Sequence, residues 1–80
     1  MKLNYAKEIK NNRVYYFIAL DNMGLCDEVV SNLFHITLKE YTEILIATGG
    51  YSEDDRGYVF NSIEDVENAL TTLKILLDEP

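Results

Sequence analysis

The sequence predicts an α+β fold, a small antiparallel sheet packed against two helices in the order β-β-(β)-α-β-α. The sheet is made of an N-terminal hairpin or meander and one short later strand. Three observations predict this. The first twenty residues form two apolar-rich runs split by Asn11-Asn12. Residues 37–50 carry a helix start and a helix stop. Residues 61–77 repeat apolar side chains at steps of three and four, the period of a helix with one buried face.

In the first run, Leu3, Tyr5 and Ile9 alternate with Asn4, Ala6 and Glu8. The second run, residues 14–20, is β-branched and aromatic. Asparagine tolerates the left-handed backbone of a two-residue type I′ turn, so Asn11 and Asn12 form the hairpin tip. That register pairs Ile9 with Val14, Lys7 with Tyr16, Tyr5 with Ile18 and Leu3 with Leu20. This face is expected to meet the core. The opposite face carries Asn4, Ala6, Glu8, Lys10, Arg13, Tyr15, Phe17 and Ala19. A one-residue slip would exchange the two faces.

Asp21-Asn22-Met23-Gly24 has the residue order of a turn. Residues 25–30 fit a third strand, while Cys26, Val29, Val30 and Leu33 also fit a short helix; the strand is the preferred expectation. Thr37 and Glu40 have the spacing of a capping box, and Leu38, Tyr41, Ile44 and Leu45 supply the apolar stripe behind it. Gly49-Gly50 ends that helix. Residues 51–56 are expected to be a polar loop, Gly57–Phe60 a short strand, and Asn61 or Ser62 the cap of the last helix. Glu64 and Asp65 then fall in its first turn, beside the positive end of the helix dipole. Ile63, Val66, Leu70, Leu73 and Leu77 form its stripe, which Ala69 and Leu76 widen.

Eighty residues, 48% of them hydrophobic, suffice for one core, so residues 1–80 are expected to be a single domain. One cysteine excludes an internal disulfide, and no apolar run approaches the ~18–20 residues of a membrane span. These features point to a reducing cytoplasm, the cell's own or that of an infected host. The net charge of −7 is unevenly spread. Residues 1–20 hold four bases and one acid, while residues 21–80 hold three bases and thirteen acids. An acidic surface repels nucleic-acid phosphates and attracts basic partners, so direct nucleic-acid binding is not expected.

No catalytic constellation is visible. His35 and Cys26 have no spacing that suggests a nucleophile and its base, and no third group orients them. One Cys and one His do not make a zinc site. Glu53-Asp54-Asp55 lacks the alternation of acids and the closing Glu of a calcium loop. Gly49-Gly50 follows a helix, whereas a phosphate-binding loop precedes one. The expectation is therefore no enzyme, no cofactor and no metal.

Two groups of residues are candidates for partner binding. Tyr15 and Phe17 lie on the hairpin face turned away from the helices, and exposed aromatics on a sheet face call for a cover. A homodimer through this face is one such cover, with Arg13 meeting Glu8 across it. Glu53, Asp54, Asp55, Glu64, Asp65 and Glu67 form the second group. Together they make a negative patch that imitates phosphates to a basic groove; the plainer reading is cap chemistry and a solvated surface.

The ending YVFNSIEDVENALTTLKILL, with the small size and acidity, resembles the small acidic inhibitors that bacteriophages encode against host defence, anti-CRISPR proteins among them. The resemblance spans the chain in general style and carries over no functional residue. It implies stoichiometric docking on a host protein rather than catalysis, and the acidic patch points to a host protein with a basic nucleic-acid-binding surface. The alternative is a sponge that sequesters a small nucleotide signal through Arg13, Arg56 and the tyrosines.

Overall fold

A computed structural model of the protein describes residues 3–20, 23–25, 27–53 and 57–77. The elements run β1 (Leu3–Lys10), β2 (Arg13–Leu20), β3 (Met23–Gly24), α1 (Asp27–Phe34), α2 (Leu38–Ala47), β4 (Tyr51–Glu53), β5 (Gly57–Val59) and α3 (Ile63–Leu77). The α+β class is as expected. One antiparallel sheet has the order β1-β2-β3 and a second pairs β4 with β5. Tyr16 and Phe60 join the two: the Tyr16 N–H donates to the Phe60 carbonyl at 2.9 Å, and the Phe60 N–H returns a bond at 2.7 Å.

The hairpin has the expected register, from Leu3 opposite Leu20 to Lys10 opposite Arg13. Asn11 and Asn12 stand at φ 52° and 62°, the left-handed pair that matches the twist of the strands. Leu3 and Ile18 are buried in the core, and Tyr5, Tyr16 and Leu20 pack against it. The Tyr5 and Tyr16 rings meet edge to face, 5.8 Å apart. The cover ends there. Ile9 is 65% exposed and Val14 38%, so the expectation that this pair meets the core is corrected. The helices pack over the half of the hairpin that holds Leu3, Tyr5, Tyr16 and Ile18, and the tip lies beyond them.

Three further expectations change. Residues 27–34 are a helix, not part of a third strand, because Val30 and Phe34 lie one turn apart and are both buried in the core. The third strand falls earlier: Met23 pairs with Leu20 and Gly24 with Ala19, where a turn was expected. Asp21 and Asn22 lie outside the described residues, as does Cys26. Within the expected polar loop, Tyr51–Glu53 form a strand that pairs with Gly57–Val59, and three helices replace the expected two.

Helix α2 is closed at both ends by local chemistry. The Glu40 N–H donates to the Thr37 hydroxyl at 3.1 Å, and the Thr37 N–H donates to the Glu40 carboxylate at 2.9 Å. At the other end Gly49 takes φ 103°; its N–H donates to the Ile46 carbonyl, and that of Gly50 to the Leu45 carbonyl. Gly50 has a second reason to lack a side chain: a Cβ there would stand 2.9 Å from the Leu45 carbonyl oxygen and 3.0 Å from the Phe60 ring. In α3, Ser62 is the cap, accepting from the Asp65 N–H at 3.2 Å. The fully buried Phe60, Leu45, Leu73, Val30 and Val66 bring all three helices onto one face of the sheet. Each such side chain contributes about 1.5–3 kcal/mol of burial.

Candidate functional site

The second face of the sheet was expected to leave Tyr15 and Phe17 exposed. That expectation is corrected, since Tyr15 is only 7% exposed and Phe17 half-buried. One neighbour on this face comes from far along the chain. Phe60 pairs with Tyr16 and enters the core, so Val59, its neighbour on an alternating strand, falls on the face of Tyr15 and Phe17. Val59 and Ala19 are buried there too. Tyr51, paired with Val59, extends the same face and donates from its hydroxyl to the side-chain amide oxygen Oδ1 of Asn61 at 2.7 Å. The Arg13 guanidinium lies over the Tyr15 ring, 5.2 Å from its centre. Arg13 thus caps an aromatic of its own chain.

The acidic residues do not share one environment. Glu64 and Glu67 are exposed on α3 and, three residues apart, share a side of the helix. Glu67 borders a crevice of about 150 Å³ with Asn4, Tyr5, Thr71 and Lys74. Asp65 is half-buried and turns toward the end of α2: a Cβ on Gly49 would stand 2.6 Å from its Oδ2. Glu53 is half-buried on β4, opposite Gly57. Asp54, Asp55 and Arg56 lie outside the described residues. Glu40 and Glu43 add two exposed acids on α2. The hydrogen bonds from Thr37, its backbone N–H first and its hydroxyl second, hold the Glu40 carboxyl below its ordinary value.

Sequence reasoning did not anticipate a cleft of about 270 Å³ between the sheet and the first two helices. Phe17, Leu25, Leu38, Tyr41, Thr42 and Tyr58 are among its walls. Burial raises the Tyr41 hydroxyl well above the usual tyrosine range, so it stays protonated. Tyr41 also stacks on Phe34 at 5.8 Å. No wall residue is basic, so a phosphate in the cleft would meet no counter-charge from the described residues. Its walls come from four separate elements and the connection before α1, and no local motif announces such a meeting.

His35 is exposed at φ 57°, just past the end of α1, and its N–H donates to the Ser31 carbonyl at 3.1 Å. Its position is that of a helix stop. Among the described residues, no group of three or more His, Cys, Asp or Glu side chains converges as a metal site would require. No described helix is long and apolar enough to cross a membrane. Compared with protein-family models, with curated proteins and with solved structures, the chain matches none.

Proposed function

We propose that this chain is a non-enzymatic binding protein, an inhibitor of the phage-encoded kind that docks on a host protein in the cytoplasm and blocks a working surface. The observation that supports the reading best is the excess of exposed acids over the exposed Lys39 and Lys74 on α2 and α3. Glu40, Glu43, Glu64 and Glu67 are exposed on helices that all pack on one face of the sheet. Such a surface attracts a basic groove, including one that holds nucleic acid, and repels nucleic acid itself. Glu53 and Asp65, both half-buried, play a smaller part than the sequence implies. The test is recovery of partners from a host lysate at low and moderate salt, with the wild type and with a Glu64→Lys/Glu67→Lys variant. A basic protein held at low salt, released as salt rises and lost in the variant is the expected outcome. Recovery of no protein at either salt overturns the reading.

The nucleotide-sponge alternative has less support. The cleft offers aromatic walls but no cation, and Arg13 is engaged with Tyr15. A thermal shift with a cyclic or ADP-ribose-type nucleotide, with no protein partner recovered, would reverse the ranking.

A further inference from the structure

We propose that the cleft between the sheet and the first two helices binds a small, uncharged aromatic molecule, held by one hydrogen bond from the Tyr41 hydroxyl to an acceptor atom of that molecule. The inference is independent of the acidic-face reading.

The site is built around one enclosed polar group. Tyr41 is only 7% exposed, and its ring is held by the stack on Phe34. Its N–H donates to the Thr37 carbonyl at 3.0 Å, which ties the residue to the capped first turn of α2. Among the described residues its hydroxyl has no hydrogen-bond partner. No fully enclosed side-chain oxygen among those residues lacks a partner, so this hydroxyl reaches solvent, and Tyr41 lines the cleft. Burial keeps the group protonated, so it presents an O–H donor. A donor so nearly enclosed gains more from a ligand's acceptor than one in open water does.

The walls set the rest of the ligand's chemistry. No described wall residue carries a charge, so an ion would lose hydration and gain no counter-charge. Thr42 already donates its hydroxyl to the Lys39 carbonyl at 2.9 Å, so it offers the cleft an acceptor and not a second donor. Phe17 and Tyr58 are half-buried wall residues on β2 and β5, and with Tyr41 they favour a flat ring over a branched chain. A volume of about 270 Å³ has room for one or two rings, since roughly 150 Å³ accommodates a benzene. The mouth is open at Gly57, where a Cβ would meet nothing within 4 Å.

Three two-ring probes test this, with the amide spectrum of the whole chain as the readout. Quinoline is neutral at neutral pH and has a ring-nitrogen acceptor, naphthalene has no acceptor, and 1-methylquinolinium carries a charge in its place. The expected result is that quinoline saturably shifts the amides of Phe17, Tyr41, Thr42 and Tyr58, and that 1-methylquinolinium does not. Tyr41→Phe keeps the ring and its stack. In that variant the affinity for quinoline relative to naphthalene should fall roughly tenfold. Quinoline that gives no saturable shift at these amides up to its solubility overturns the proposal, as does 1-methylquinolinium binding as tightly as quinoline. A ratio that Tyr41→Phe leaves unchanged also overturns it, and makes the cleft a plain apolar groove fit for a partner's side chain. If Tyr41→Phe does not fold, the hydroxyl proton of Tyr41 in the wild type decides. A downfield shift with quinoline and none with naphthalene supports the bond, and the same signal with both overturns it.

Discussion

Helices α1 and α2 are separated only by His35, Ile36 and Thr37, yet they start and stop by different means. Both ends of α2 are specified by neighbours in sequence, a capping box at Thr37 and a glycine pair at Gly49-Gly50. Helix α1 ends instead on a histidine forced to positive φ, and its hold on the molecule is tertiary. Val30 and Phe34 are almost fully buried, and the Phe34 ring stacks on Tyr41 of α2. One helix is written into local chemistry; the other exists because the core receives it.

The comparison breaks most readily at Phe34. Phe34→Ala removes the packing that holds α1, and the expected loss is about 3–5 kcal/mol of stability in urea denaturation. A loss below about 1 kcal/mol would show that α1 does not depend on the core in the way described.

His35→Gly should act in the opposite direction. It relieves a non-glycine residue of left-handed backbone at the cost of a more flexible unfolded chain. The expected net gain is about 0.5 kcal/mol, or roughly 2–4 °C in Tm. Because His35 is exposed, its removal should leave partner binding unchanged; a folded variant that no longer binds would reassign His35 to the interface.

The smallest effect belongs to Glu40 and sharpens the other side of the comparison. Its carboxyl is held below the ordinary 4.5 by the Thr37 bonds. The stabilisation is therefore present above that value and is lost as pH falls through the lower folded one. In Glu40→Gln this acid-dependent component should be absent. A pH series of thermal melts that gives the two proteins the same acid slope would refute the capping role.

The legible parts of the fold are those whose cause is short-range. Asn11-Asn12 set the turn and with it the register, and Thr37, Glu40 and Gly49 bound α2 within a few residues. The steps of three and four from Val66 to Leu73 placed α3. What was misread depends on distant partners. Residues 27–30 fit two periods, and the stack of Phe34 on Tyr41 with the burial of Val30 resolves them as helix. Tyr51–Glu53 are polar in sequence and become a strand because Gly57–Val59 lie alongside.

The candidate site divides in the same way. Charge is a property of the residues themselves, so the chain's acidity and its separation from a basic hairpin were determined by the sequence alone. Exposure is not such a property. Alternation placed Tyr15 and Phe17 correctly on the second face, but Tyr15 is buried there, beside a Val59 that the Phe60–Tyr16 bonds bring from far along the chain. Only the tertiary structure decides which of two chemically similar faces meets water, because burial depends on what folds against a residue and not on what precedes it.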